Sequence, residues 1–224
     1  MNLEQARFNM IEQQIRPWDV LDTDVLDLLM VVKREAFVPA AYRSMAFVDT
    51  EIPLPGGENM LQPKFEARIL QELAVRKHEQ VLEIGAGSGY MAALLAYKAR
   101  HVTTVEILPE LTAMARANLA AYGVDNVDVQ QGDGAQGWKA ARFTGAAEQT
   151  YDVIVVSGSM PLLPQALMQQ LTIGGRMFVV VGEAPAMSAL LITRNSDTGF
   201  NNVKLFETVI KPLHNVPAPS HFTF

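Results

Sequence analysis

Three glycines at alternate positions separate an apolar run from a helix-like run within residues 81–96, VLEIGAGSGYMAALLA. Gly85, Gly87 and Gly89 therefore open a predicted helix directly after a predicted strand, where backbone N–H groups and the helix dipole face a bound ligand. A dinucleotide site is disfavoured, because Tyr90 stands where that fingerprint has its third glycine. The turn also lacks the Gly-Lys-Ser/Thr of a P-loop and the G-x-S-x-G of a hydrolase. The glycines alone leave two interpretations, a ligand of another kind or a tight turn without a ligand.

Acidic residues follow in three successive predicted strands, near the end of each. Glu83 lies in an otherwise apolar strand, where a carboxylate is costly to bury unless it meets a cation or hydrogen-bond donors. Glu106 ends the next strand, 21 residues after Gly85, where a carboxylate can accept both hydroxyls of a ribose. Asp133, in QGDG after the third strand, could accept an adenine amino hydrogen, although Asp-Gly is also typical of an ordinary turn. Together the three acids predict a ligand with an adenosine end and a cationic tail.

The elements that must position these residues alternate after residue 80. Short apolar runs predict strands at 81–84, 102–105, 127–130, 153–156 and 177–181, and the stretches between them predict helices at 90–99, 109–122 and 161–171. This alternation is typical of an α/β protein with a mainly parallel sheet and helices on both faces. Two later runs, SALLITRN and VKLFETVI, flank the polar turn SDTGFNN and predict an antiparallel hairpin at the end of the sheet.

The part of the chain before this alternation predicts helices rather than strands. Apolar positions at helical spacing predict a helix over 3–15 that Pro17 stops, and Asp22 is a predicted N-cap of a second helix. A third helix is predicted at 63–77. The Pro- and Gly-containing stretch 51–63 before it is interpreted as a loop.

Length and composition bound the class of protein. With 224 residues, 49% of them hydrophobic, and no linker, we predict a single domain over 1–224, made of a helical appendage and loop at 1–62 and a cofactor-binding α/β core at 63–224. A net charge of −6 without a Lys/Arg cluster disfavours nucleic acid or an anionic membrane as partner. The absence of cysteine excludes disulfides and thiolate metal sites, and we expect no metal. We find no signal peptide or membrane-length apolar run, so we expect a cytoplasmic protein.

Several motifs resemble those of S-adenosylmethionine-dependent methyltransferases, namely VLEIGAGSGY, VTTVE, GDGAQGW and YDVIVV. The flanking segments MIEQQI, REAFVP and LPQALMQQLTIGGRMFVVVGE are more specific, because they are similar to the protein-L-isoaspartate O-methyltransferase family in particular. The resemblance covers roughly residues 7–183. It implies a Rossmann-like seven-stranded methyltransferase sheet, mostly parallel with an antiparallel C-terminal hairpin, plus N-terminal helices.

The resemblance also implies S-adenosyl-L-methionine as cofactor and S-adenosyl-L-homocysteine as its product. By motif position the cofactor is expected against Glu83, Gly85, Ala86, Gly87, Ser88, Gly89, Glu106, Ile107, Gly132, Asp133 and Gly134. The family reaction methylates the free carboxylate of an isoaspartyl residue in a damaged protein or peptide, as a step of protein repair. It needs no general base, because such a carboxylate, with a pKa of about 3.5, is already ionised at neutral pH.

One loop departs from the family pattern. The family places an active-site serine where this chain has Leu61, within the expected substrate and cofactor loop of Asn59, Met60, Leu61 and Gln62. Leucine cannot donate a hydrogen bond to a substrate carboxylate, whereas Asn59 keeps a polar group nearby. Three alternatives stay open: methylation of isoaspartyl residues, methylation of a different acceptor such as a small molecule, or cofactor binding without turnover.

Overall fold

Helices flank a central sheet in the residues that the structure, a computed structural model, describes, namely 2–139 and 149–217. The order of elements confirms the predicted change of rhythm, with helices first and strands alternating with helices after residue 80. None of the helices within these two ranges combines the length and the apolar character that a membrane crossing requires.

The first element is helix α1 (Leu3–Met10). The prediction of one continuous helix over 3–15 is wrong in its second half, because the chain widens into a π-helical turn at Ile11–Ile15. It then tightens into a 3-10 turn at Arg16–Trp18. Pro17 lies in this last turn, where its ring and its missing N–H prevent a further α-helical turn.

Helix α2 (Thr23–Val31) begins at the predicted N-cap. The side chain of Asp22 accepts hydrogen bonds from the backbone N–H groups of Asp24 and Val25, which would otherwise lack partners in the first turn. The predicted cap is therefore confirmed. The helix buries its apolar side against the core, including Leu29.

A two-stranded hairpin occupies the stretch that was predicted to be a loop. Its strands β1 (Ile52–Pro53) and β2 (Asn59–Met60) pair antiparallel, so that Asn59 lies opposite Pro53. Helix α3 (Pro63–Leu73) follows. It ends earlier than the predicted residue 77, because Ala74 takes a left-handed conformation with φ of +44°.

Seven strands form the central sheet, as predicted. In chain order they are β3 (Gln80–Ile84), β4 (His101–Glu106), β5 (Val127–Gln131), β6 (Tyr151–Met160), β7 (Leu171–Glu183), β8 (Ala186–Arg194) and β9 (Phe200–Thr208). Their spatial order is β5-β4-β3-β6-β7-β8-β9. The first four pairings in this order are parallel and the last two are antiparallel. The predicted fold class is confirmed, and the strand order reverses between β3 and β6.

Within residues 80–139 and 149–217, three helices accompany the sheet. Helices α4 (Tyr90–Lys98) and α5 (Pro109–Tyr122) agree closely with the predicted ranges. Helix α6 (Gln165–Gln169) is much shorter than the predicted 161–171, because residues 161–164 form a bend and irregular chain before it and strand β7 begins at Leu171. Pro164 occupies its N-cap position.

Buried hydrophobic residues form two clusters. The larger one joins the N-terminal segment to the sheet, because Leu29 and Phe37 share it with Val81 and Phe178. Phe37 also packs against Tyr90 of α4, with ring centroids 5.4 Å apart. The N-terminal segment and the sheet therefore share one hydrophobic cluster.

Candidate functional site

A cleft opens at the carboxyl ends of β3, β4, β5 and β6, next to the point where the strand order reverses. Its volume is about 700 Å³, including its open mouth. A second cavity of about 300 Å³, here called the chamber, adjoins the cleft at the glycine turn. Open α/β sheets bind ligands at this position, so the topology alone marks the cleft as the candidate site.

The structure brings most of the predicted site residues to these two cavities. The cleft is lined by Asn59, Leu61, Gly85, Gly87, Glu106, Ile107, Gly132, Asp133 and Gly134. The chamber is lined by Asn59, Met60, Leu61, Glu83, Gly85, Ala86, Gly87 and Ser88. Two predicted residues, Gln62 and Gly89, line neither cavity.

The glycine turn has a backbone that side chains would strain. Gly85, Gly87 and Gly89 have φ values of +96°, +52° and +84°, a region that glycine adopts without steric cost. Gly89 serves helix packing rather than the ligand, because an added Cβ would lie 3.3 Å from the backbone of Ala115 in α5. Gln62 also has a structural position rather than one at the cavities, because it directly precedes α3.

Glu106 has a carboxylate that two backbone groups hold in place at the end of β4. Its Oε2 accepts a hydrogen bond of 2.9 Å from Gly87 N–H, and its Oε1 accepts one of 3.0 Å from Leu108 N–H. The residue is buried and lines the cleft. Each carboxylate oxygen has further lone pairs, so this arrangement suits a ligand with two neighbouring hydroxyls, as a ribose has.

Glu83 is fully buried next to the chamber. Its carboxyl group accepts hydrogen bonds from Thr104 Oγ1 at 2.6 Å and from Ser157 Oγ at 3.2 Å. Burial raises its pKa to about 8, the two hydroxyls oppose this shift, and the negative charges of Glu106 and Glu66 add to it. The sequence predicted either a cation or hydrogen-bond donors beside this acid, and the protein itself supplies the donors.

Asp133 is already engaged at the far end of the cleft. Its Oδ1 accepts from Ala135 N–H at 3.0 Å, and its Oδ2 accepts from Asn215 Nδ2 at 2.9 Å. Gly134 next to it lies close to the sheet, because an added Cβ would meet Ile84 Cδ1 at 2.6 Å. The Asp-Gly pair leads into a turn that Gly137 N–H closes on Gly134 O, and it also lines the cleft.

Two segments that are distant in sequence meet at the wall of the cleft, and the sequence did not predict their contact. Glu58, before β2, accepts hydrogen bonds at 2.8 Å from Lys211 Nζ and at 2.9 Å from His214 Nε2. Burial alone would raise the pKa of Glu58, but these two partners together lower it below its usual value. Leu213 N–H donates to Ser159 O at 3.0 Å, which fixes the C-terminal segment on the sheet. The Lys-Pro-Leu segment at 211–213 lies beyond the residues, roughly 7–183, that the family resemblance covers.

The loop after β2 is held from below by a buried ion pair. Arg34 Nη2 donates to Leu61 O at 2.7 Å, while its Nη1 pairs with Glu66 of α3. Arg34 also lies over the ring of Tyr90, 5.3 Å from its centroid. The side chain of Leu61, itself buried, contacts both cavities, so the loop places an apolar group where the family has a serine.

Comparisons with known proteins point to one family. A sequence profile of the family described as Protein-L-isoaspartate(D-aspartate) O-methyltransferase (PCMT) matches residues 5–215. The chain is 44% identical over 191 residues to protein-L-isoaspartate O-methyltransferase 1 of Rhodopseudomonas palustris (strain HaA2), a match that covers 85% of this chain and 75% of the relative. It is 37% identical over 211 residues to protein-L-isoaspartate O-methyltransferase of Koribacter versatilis (strain Ellin345), covering 94% of this chain and 90% of the relative.

A solved structure extends the likeness to three dimensions. A protein-L-isoaspartate O-methyltransferase superposes with a TM-score of 0.78 at 25% sequence identity, over 93% of this chain and 66% of that chain. The matched residues include the strands, the glycine turn and the loops that build the cleft. The chain therefore belongs to the protein-L-isoaspartate(D-aspartate) O-methyltransferase family.

Proposed function

We propose that the protein transfers the methyl group of S-adenosyl-L-methionine to the free carboxylate of isoaspartyl residues in damaged proteins or peptides. The observation that carries this proposal is the carboxylate of Glu106, which Gly87 and Leu108 hold in the cleft of a chain of this family. An isoaspartyl-containing partner and a cytoplasmic setting are part of the proposal.

The residues of the cleft fit the cofactor. Glu106 would accept the ribose hydroxyls, Asp133 and Gly134 would face the adenine, and Gly85 and Gly87 would let the backbone approach the methionine part. When bound, the cofactor supplies a methyl group on a positively charged sulfur: an oxygen of the acceptor carboxylate bonds to the methyl carbon, and the sulfur leaves with the electron pair of the broken carbon–sulfur bond. The buried acid Glu83 beside the chamber holds its proton near neutral pH when no ligand is bound, and the positive charge of the bound cofactor would favour its ionised form.

The protein contributes position and exclusion of water rather than acid or base catalysis. The acceptor carboxylate is ionised at neutral pH, so no side chain has to remove a proton. Holding an oxygen of this carboxylate against the methyl group converts an encounter between two molecules into a step within one complex. The segments that meet at Glu58 line the cleft and would limit the access of water to it.

Leu61 favours a second candidate function, methylation of a different acceptor. Its side chain offers no hydrogen bond to an acceptor carboxylate and occupies space next to both cavities. A less polar acceptor, such as a small molecule, would suit this apolar wall better. A cofactor-binding protein without turnover is the third alternative.

One experiment separates the three. Calorimetric titration with S-adenosyl-L-homocysteine measures binding to the cleft, and the same sample is then tested for methyl transfer to an isoaspartyl peptide. The aspartyl peptide of the same sequence is the matched control. We expect cofactor binding and ester formation on the isoaspartyl peptide only. Binding without any ester would reject the proposed acceptor, and a screen of cell extracts for methyl acceptors would then distinguish the other two functions.

A further inference from the structure

The junction between the cleft and the chamber is a small set of residues. Five residues line both cavities: Asn59, Leu61, Gly85, Gly87 and Ser157. The glycines are those expected against the methionine part of the cofactor. An acceptor that reaches the methyl group would therefore contact the other side of this junction, which the remaining three residues form.

Only two of these five residues have a side chain that carries a hydrogen-bond donor. Ser157 Oγ already donates to Glu83 Oε1 at 3.2 Å. The amide of Asn59 makes no hydrogen bond within residues 2–139 and 149–217. Leu61 has no polar side-chain atom. At the junction, Asn59 is thus the side chain with free donors.

The backbone on both sides of Asn59 is fixed, so the amide is presented in a defined position. Asn59 pairs with Pro53 in the β1–β2 hairpin. Two residues later, the carbonyl of Leu61 accepts the hydrogen bond from the buried Arg34. The side chain of Asn59 is half-buried, so a hydrogen bond that its amide makes would be partly shielded from water.

We propose that the Asn59 side-chain amide donates a hydrogen bond to the carboxylate of the methyl acceptor and orients it at the junction. This assignment rests on the proposed function. A carboxylate has two oxygens, and the one that does not attack the methyl group loses water when it enters the site. A neutral amide can replace that water without neutralising the carboxylate, whereas the basic side chains of the cleft, Lys211 and His214, are hydrogen-bonded to Glu58.

Three variants of Asn59 test this assignment. With the isoaspartyl peptide, Asn59→Ala should raise KM about tenfold or more, because a hydrogen bond to a charged group is lost. Asn59→Asp has nearly the same shape but offers only acceptors at neutral pH, so it should lose activity there and regain part of it as the pH falls towards the pKa of the new carboxyl group. Asn59→Thr keeps a donor and should keep KM within about threefold of the wild type.

A binding measurement accompanies each variant. The Kd of S-adenosyl-L-homocysteine should stay within about twofold of the wild-type value, since Asn59 is assigned to the acceptor and not to the cofactor. Leu61→Ser in the Asn59→Ala background supplies a new donor two residues away and should recover part of the lost activity.

The outcomes are distinct. An active wild type with an unchanged KM in Asn59→Ala overturns the assignment and leaves the proposed function standing. A loss in Asn59→Thr as large as in Asn59→Ala also overturns it, because the donor would not be the cause. A wild type that binds S-adenosyl-L-homocysteine but forms no ester overturns the proposed function, and the assignment falls with it. If Asn59→Ala fails to bind S-adenosyl-L-homocysteine, the pH profile of Asn59→Asp decides.

Discussion

The Oε2 atom of Glu106 lies 2.9 Å from the backbone nitrogen of Gly87 and accepts its hydrogen bond. This contact joins the end of β4 to the glycine turn after β3, so the two motifs that the sequence suggested separately form one unit. The other oxygen of Glu106 accepts from Leu108 N–H at 3.0 Å. The carboxylate is thus oriented by the fold before any ligand arrives, which reduces the ordering that binding requires.

The first prediction concerns this carboxylate. Glu106→Ala should weaken binding of S-adenosyl-L-homocysteine by about tenfold or more, because the ribose hydroxyls lose a charged acceptor. Glu106→Gln should also weaken it, because an NH₂ group replaces one of the two oxygens and cannot accept the hydrogen bond that this oxygen receives from Gly87 or from Leu108. Calorimetric titration measures both effects. Asp125→Ala, at an exposed position outside both cavities, is the control, and an unchanged Kd in Glu106→Ala would show that the ribose is held elsewhere.

Most of the sheet and most of the residues that line the cleft could be predicted, because both depend on local patterns. Strand alternation and a carboxylate at a strand end are visible in the sequence, as Glu106 illustrates. The contact of Glu58 with Lys211 and His214 joins positions more than 150 residues apart, and no local pattern indicates it. The helix over 3–15 was overestimated for a related reason, because its apolar spacing does not distinguish an α-helix from a π-helical turn.

The second prediction follows from the raised pKa of Glu83, about 8. An unfolded chain releases this proton near the ordinary value of 4.5, so between these two values the folded protein holds one proton more than the unfolded protein. The free energy of unfolding therefore falls as the pH rises through this window, by at most about 1.4 kcal/mol per pH unit. Glu83→Gln cannot ionise, so its stability relative to the wild type should grow with pH and become constant above the pKa.

Denaturant unfolding of both proteins between about pH 5 and pH 9 measures this difference. Glu207→Gln is the matched control, because Glu207 is an exposed acid of β9 that pairs with Lys204. Its pKa is lowered, so it does not titrate in the same window. A difference between Glu83→Gln and the wild type that stays constant with pH would contradict the assignment of the raised pKa.

The third prediction concerns Leu61, at the position of the family serine. If the proposed acceptor is right, Leu61→Ser should raise kcat/KM for an isoaspartyl peptide, because a hydroxyl donor then lies beside the junction. The backbone hydrogen bond from Arg34 to the carbonyl of residue 61 does not depend on the side chain and should persist. Leu61→Ala is the matched control, because it opens the same space without adding a donor.

Stability enters this comparison as well. Both variants remove a buried side chain, so each should lower the free energy of unfolding by about 2 kcal/mol or more. The activity assay therefore belongs at a temperature well below both transitions. An equal gain in Leu61→Ala would attribute the effect to space rather than to the hydroxyl, and a lower rate in Leu61→Ser would remove the serine argument.

The fourth prediction concerns the contact between Glu58 and the C-terminal segment at the wall of the cleft. Glu58 binds Lys211 and His214, and Lys211 Nζ donates in addition to Gly57 O at 2.8 Å. Glu58→Ala leaves Lys211 and His214 without their shared partner, so the hairpin and the C-terminal segment should separate more often. Bound S-adenosyl-L-homocysteine should then dissociate several-fold faster, as stopped-flow displacement can measure.

Because these side chains are partly exposed, salt should speed dissociation from the wild type and have little effect on Glu58→Ala. Glu207→Ala removes an acid of an exposed pair outside the cleft and should leave the rate unchanged. A dissociation rate in Glu58→Ala equal to that of the wild type would mean that the hairpin and the C-terminal segment stay together without this contact.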